Sequence, residues 1–465
     1  MDLIIKNGKV VTAEKTFSAD IGIKDGKIAS VRKGLADSPA AQNAKIIDAK
    51  GMLVMPGAID VHVHLNLFFC GTYSENWDTG TAAAAAGGVT TIIDYAIQQK
   101  GKTIKEAVEA RMKDAESKVC IDYSLHGGIT DWNNATRDEL NDLTVNGGIP
   151  TFKMFMIYRK EGWMADDAIL FQAFEETKKN GSMIMVHAES AFILELLIER
   201  YHTEEMMKKY GAYCHTLSRP CYTEEEAVAR AIKWAGVTGG RLYIVHMSSG
   251  EAADAVKAGR LKKINVWAET CPQYLLLTDD VFKGEHGHYF ATCPQIKKTH
   301  DRDRLWKGLS GGEIQVLATD TCCFNSQQKD MWAGDFTKIP YGLPGVETLL
   351  PTTYTAGVGK KRISINKLVS LLSTNPAKLF GLYPHKGTIA AGSDADIVIF
   401  DPNKKVVVDY KNLMTKCDWS PFQGMKLTGE PKTVISRGEI IAEDGKFTGK
   451  VGRGKFLKRK PGGKV

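Results

Sequence analysis

The sequence predicts an α/β protein, a (β/α)8 TIM barrel bracketed by two β-rich chain ends. Three observations carry this expectation. Eight apolar, β-prone runs alternate with helical stretches rich in Ala, Glu, Lys and Leu, as strands buried on both faces of a closed parallel barrel require. Short alternating strands with tight turns occur at both ends of the chain. No GxGxxG motif follows the first apolar run, which argues against an open doubly wound sheet with a dinucleotide site.

Residues 1–54 read as the first β-rich end, with strands at Leu3 to Ile5, Val10 to Val11, Asp20 to Ile23 and Ile28 to Val31. Asp25-Gly26 between the last two is a hairpin turn, since both residues tolerate positive φ. Residues 55–384 hold the barrel. Its strands are expected at Ala58 to His64, Thr90 to Ala96, Ile121 to Ile129, Thr151 to Met156, Ser182 to Glu189, Leu242 to Ser249, Ile264 to Cys271 and Ile314 to Thr321. Residues 385–465 return to alternating strands, at Gly392 to Phe400, Val406 to Val408 and Thr433 to Ile441, and end in a basic tail.

Composition narrows the function classes. A chain of 465 residues with 43% hydrophobic and 25% charged residues is neither disordered nor fibrous. No apolar run approaches the roughly 18 residues of a membrane helix, and the N-terminus lacks a signal-peptide layout, so a cytoplasmic protein is expected. Nine cysteines, an odd number with no CxxC, fit reduced thiols better than a disulfide framework. The net charge of +7 comes from the seven basic residues after Gly449; without them the body carries 54 charges of each sign. That tail is expected to be a mobile or subunit-crossing arm, and no nucleic-acid surface is expected.

Polar residues at the C-terminal ends of the strands are where a barrel of this kind carries its chemistry. The first strand ends Asp60-Val61-His62-Val63-His64, and period-two alternation puts both imidazoles on one face, where one metal ion accepts a nitrogen from each. The fifth ends in His187-Ala188-Glu189, the sixth in His246 and the eighth in Asp320. Four histidines and an aspartate meeting at one mouth would be costly to desolvate unless something pairs with them, which points to a metal site. The fourth strand adds Lys153 among Phe152, Met154 and Phe155, and a free ammonium there would repel metal ions.

These motifs, in this order, resemble the amidohydrolase superfamily and within it the D-hydantoinase and dihydropyrimidinase branch. The resemblance spans nearly the whole chain. It rests on Pro56 to Leu65, Ala86 to Thr91, Phe152 to Tyr158, Val186 to Glu189, Ser218-Arg219-Pro220, Val245 to Ser249, Glu269 to Leu275 and Asn375 to Leu382. It implies a TIM barrel with a β-sandwich built by both chain ends, residues 1–54 and 385–465, two divalent metals per subunit, usually zinc, and carboxylation of Lys153 by CO2. His62, His64 and Asp320 would hold one metal and His187 and His246 the other, with Lys153 bridging. The implied activity is ring opening of 5-substituted hydantoins or dihydropyrimidines to N-carbamoyl amino acids, by attack of a metal-bridging hydroxide. Asp320 would shuttle the proton and Tyr158 would hydrogen-bond the developing oxyanion. Relatives are usually homotetramers, so a homotetramer is expected.

The chain departs from the family pattern at several points. Cys293-Pro294-Gln295-Ile296-Lys297 stands where the branch commonly has Ser-Pro-Pro-Leu-Arg, and Tyr341-Gly342 where it has Asn-Gly. In relatives those positions grip the substrate's amide edge largely through main-chain atoms, so Cys293 and Tyr341 retain that role. Thr321 replaces a histidine after the aspartate, and Cys322 beside it is either an adventitious metal ligand or part of a packed turn. Leu65, Phe68, Phe69, Phe155 and Trp163 either wall a pocket for the ring substituent or pack their loops. Asn66 stands where a dihydroorotase would carry arginine, which demotes that activity. Two alternatives are weighed against the main reading: an allantoinase-type ureide hydrolase, and a non-catalytic scaffold like the collapsin response mediator proteins. Retention of all six ligand positions disfavours the scaffold.

Overall fold

The computed structural model describes residues 1–465. Eight parallel strands form the barrel: β1 (Ala58–Val63), β2 (Val89–Ile97), β3 (Asp122–Gly128), β4 (Thr151–Phe155), β5 (Met183–His187), β6 (Leu242–Ile244), β7 (Val266–Thr270) and β8 (Val316–Leu317). Each pairs with the next, in the order β8-β7-β6-β5-β4-β3-β2-β1. The seam between β8 and β1 closes just past the strand ends, where Val63 bridges Thr321 and the His64 N–H donates to the Thr321 carbonyl at 2.7 Å. All eight expected runs therefore form strands.

Side chains fill the barrel because alternate residues point inward. Tyr95, Met185, Tyr243, Trp267 and Ala318 belong to one buried apolar cluster within it. Two residues further along their strands, on the same faces, come His187, Glu269 and Asp320. An apolar plug thus supports a polar layer at the C-terminal mouth.

The chain ends form two further sheets. One has four strands in the order Lys27–Arg32, Asp20–Lys24, Leu3–Lys6 and Lys45–Asp48. The other has seven: Lys446–Phe447, Glu439–Glu443, Lys426–Ser436, Ile397–Val407, Leu53–Pro56, Lys9–Val11 and Thr16–Ser18. In the second, Ile397 lies opposite Pro56 and Val10 beside Val54, so the N- and C-terminal segments pair directly.

The tail corrects one expectation. It is not a free arm but packs on the chain's own barrel. Phe456 bridges Tyr123, and the Leu457 N–H donates to the Tyr123 carbonyl at 2.7 Å. The Arg459 side chain is fully buried, donating to Ser124 Oγ at 2.8 Å, Thr151 Oγ1 at 2.9 Å, the Phe380 carbonyl at 3.3 Å and the Leu125 carbonyl. The basic residues disguised an amphipathic segment whose apolar side chains and one guanidinium find partners near the N-terminal ends of β3 and β4. No helix is long and apolar enough to cross a membrane.

Candidate active site

The mouth of the barrel brings the sequence-predicted residues together. His62 Nε2 and His64 Nε2 lie 3.2 and 3.3 Å from the same oxygen, Oδ1 of Asp320. The rings of His62 and His246 are 5.2 Å apart and those of His187 and His246 4.6 Å apart, so the four imidazoles form one continuous group. Simple alternation from the inward Tyr243 and Val245 would turn His246 away. Its left-handed backbone, φ 36°, breaks the alternation and aims the ring inward. Asp320 (φ 54°) and Tyr158 (φ 64°) are also left-handed, and strain of about 1 kcal/mol or more at non-glycine residues marks positions held by their surroundings for a purpose.

Electrostatics favour uncharged donors here. Burial, reinforced by the Lys153 ammonium, keeps His62 and His246 below the usual imidazole range, and burial likewise lowers His187. Burial also drops Lys153 to about 8. Its Nζ makes no ion pair and lies over the rings of Tyr95 and Phe155, 5.2 and 5.6 Å from their centroids. His246 Nδ1 is buried without a hydrogen-bond partner, and so is His62 Nε2, whose 3.2 Å approach to Asp320 Oδ1 lacks hydrogen-bond geometry. A buried site with neutral donors, unmet nitrogens and an unpaired lysine has a donor set that fits a divalent cation.

A cavity of ≈ 90 Å³ opens onto this group. Phe69, Ile97, Phe155, Tyr158 and Trp163 supply apolar wall, while Cys293, Tyr341 and Gly342 line the same space. Phe155, Tyr158 and Trp163 pack on one another with ring centroids 5.4 to 5.9 Å apart. Burial lifts the Tyr158 hydroxyl well above its usual pKa, so it remains a donor.

The molecule's relatives agree with this geometry. The amidohydrolase family model matches residues 53–441. A D-hydantoinase from Geobacillus stearothermophilus is 40% identical over 467 residues, covering 99% of this chain and 97% of its own. The crystal structure of a dihydropyrimidinase from Brevibacillus agri NCHU1002 superposes with a TM-score of 0.96 at 37% identity, covering 100% of both chains. An L-hydantoinase (dihydropyrimidinase) from Arthrobacter aurescens gives 0.89 at 32% identity, covering 98% of this chain and 100% of that one. The chain belongs to the amidohydrolase family.

In this amidohydrolase, two wall residues expected from the sequence stand elsewhere. Leu65 is buried in the core against Gly80, facing away from the cavity, because its main chain is pinned by Asp94 and Arg111; Leu67 lines the cavity in its place. Phe68 is 60% exposed and packs on Tyr73. Cys322 lines the wall, but its thiol lies outside both groups of converging ligand atoms, which favours the packed-turn reading. Thr321 donates to Thr319 Oγ1 at 2.7 Å, and Thr319 in turn to Asp60 Oδ2 at 2.5 Å, so Thr321 heads a buried hydroxyl chain behind β1.

Three buried residues behind the site went unassigned. Glu189 Oε2 meets His187 Nε2 at 2.7 Å and accepts from Arg219 Nη1 at 3.0 Å. Burial opposes the charge on Glu189, yet Arg219 and His187 hold its carboxyl well below the usual range. Cys293 Sγ lies 3.3 Å from Glu189 Oε2 and 3.2 Å from Arg219 Nη1, so this second converging group already contains its cation. Glu269 contacts His62 Nδ1. The strand-end spacing could have flagged Glu269, two residues beyond the inward Trp267.

Proposed function

We propose that this amidohydrolase opens the ring of 5-substituted hydantoins or dihydropyrimidines to N-carbamoyl amino acids. The observation that carries the reading is the polar layer at the barrel mouth, where buried imidazole nitrogens without partners surround an unpaired lysine beneath a small aromatic-walled cavity. The activities named for the relatives, D-hydantoinase and dihydropyrimidinase, support it.

Imidazole and carboxylate donors suit zinc. His62, His64 and Asp320 would hold one ion and His187 and His246 the other, with Lys153 shared between them as its carboxylated derivative. Bound there, the ions supply Lewis acidity and a nucleophile at neutral pH. The chain's own groups do the rest. The Tyr158 O–H donates to the substrate carbonyl oxygen as negative charge grows on it. The Asp320 carboxylate takes the nucleophile's proton and delivers it to the departing ring nitrogen as the C–N bond breaks. Main-chain atoms around Cys293 and Tyr341 grip the amide edge, while Phe69, Phe155 and Trp163 exclude water and receive the exocyclic substituent. Cytoplasmic location and a homotetramer complete the proposal; light scattering on the full chain tests the latter.

The activity test is hydrolysis of dihydrouracil, D- and L-5-phenylhydantoin, unsubstituted hydantoin, allantoin and dihydroorotate by metal-replete protein beside a chelated control. Turnover of hydantoins or dihydrouracil that chelation abolishes is expected. Turnover of allantoin alone would overturn the substrate assignment.

A further inference from the structure

Glu269 sits on β7, fully buried, with every oxygen engaged by the opposite halves of the site. Its Oε1 contacts His62 Nδ1 and accepts the main-chain N–H of His246 at 2.9 Å; its Oε2 accepts the Tyr243 O–H, also at 2.9 Å. One carboxylate therefore touches a histidine from β1 and the turn that carries a histidine after β6.

We propose that Glu269 is a positioning residue that sets both halves of the metal site at once, an inference that rests on the two-metal reading above. Holding His62 through Nδ1 fixes the ring so that Nε2 faces Asp320 Oδ1, 3.2 Å away. Holding the His246 N–H pins a residue whose left-handed φ of 36° the chain would otherwise relax, and with it the direction of the ring. Tyr243 anchors the far oxygen, which keeps Oε1 turned toward both histidines. A carboxylate serving only one ligand, or only barrel packing, would not make this pair of contacts through a single oxygen.

Glu269→Gln keeps the shape and replaces one of the two carboxyl oxygens with an amide nitrogen that cannot accept a hydrogen bond. Full-length apo-protein is titrated with Zn2+ against a chromophoric chelator, and its thermal melt is recorded without metal. Wild type is expected to take two equivalents. In E269Q both equivalents weaken together, by roughly 10- to 100-fold, the usual cost of losing a partner behind a ligand. Tyr243→Phe, which deletes one hydroxyl and spares the carboxylate, weakens both in the same direction and by less; it carries the test if E269Q does not fold. Wild-type affinity for both equivalents in the variants, or weakening of one equivalent alone, overturns the proposal. If wild type itself binds no zinc pair, the two-metal reading fails. If wild type binds two ions and E269Q binds them as tightly, only the role of Glu269 fails.

Discussion

The two ends of the barrel bury cations in opposite ways. Near the N-terminal end, Lys386 Nζ is ringed by Asp396, Asp122 and Asp394 at 2.6, 2.7 and 3.2 Å, and Arg459 spends its donors on two hydroxyls and two carbonyls. At the C-terminal mouth, Lys153 is as deeply buried and forms no ion pair, while His62 Nε2 and His246 Nδ1 find no hydrogen-bond partner. Buried polar groups left unmet cost on the order of 1–3 kcal/mol each. The closed end pairs its buried cations, whereas at the mouth Arg219 is paired with Glu189 but Lys153 is not, so the mouth carries a cost in stability that the closed end does not. This comparison separates function from structure within one barrel.

Mutations at the two ends should fail differently. Lys153→Ala is expected to lower kcat/KM by more than about 10³-fold, since a missing ligand costs more than the 10–100-fold of an outer partner, with the metal-free melting temperature unchanged or raised. Partial rescue by a short carboxylic acid would support the carboxylated lysine, whereas full activity and metal content without rescue would break it. Tyr158→Phe removes one oxyanion donor, and steady-state kinetics should show kcat reduced by about 10²-fold with little change in KM. Arg459→Met reverses the pattern. Chemical denaturation should show a loss of about 3 kcal/mol as carbonyls and hydroxyls lose their donor, while zinc stoichiometry stays at the wild-type value. A loss of zinc in that variant would mean the ends are coupled.

The smallest effect is a pH dependence. Burial lowers Lys153 from its usual value to about 8, so the neutral amine that CO2 needs appears as the pH rises through that value. Recovery of activity by apo-protein given zinc and bicarbonate should therefore increase from roughly pH 7 and level off above about 9. Between about pH 8 and the ordinary lysine value of 10.5 the unfolded chain binds a proton that the folded one does not, so apo-protein stability should rise with pH across that window and be flat below it. A flat recovery profile would show that the lysine is not the group that titrates.

Much of this was legible in the sequence. Strands of a parallel barrel are buried on both faces, so each of the eight announces itself as an apolar run, and His62, His64, His187, His246 and Asp320 stand at their ends. What lay beyond reach depends on closure of the ring of strands. Glu269 meets His62 across 207 residues of sequence, and no local pattern encodes that contact. Alternation alone would misdirect His246, because a left-handed residue interrupts it. Leu65 follows the histidines directly, yet its N–H donates to Asp94 and its carbonyl accepts from Arg111, which turns it into the core. The tail reads as a charged arm because charge dominates its composition. Its docking depends on carbonyls of β3 that only the folded barrel presents.

The central claim is that the unmet nitrogens at the mouth are ligands awaiting ions. It is tested most directly by the metal-to-chain ratio of full-length protein loaded with zinc and bicarbonate, desalted and analysed by elemental mass spectrometry. Two zinc ions per chain, falling in Lys153→Ala and unchanged in Arg459→Met, is the expected result. A ratio near zero in the wild type would contradict the claim and leave the polar layer without a purpose.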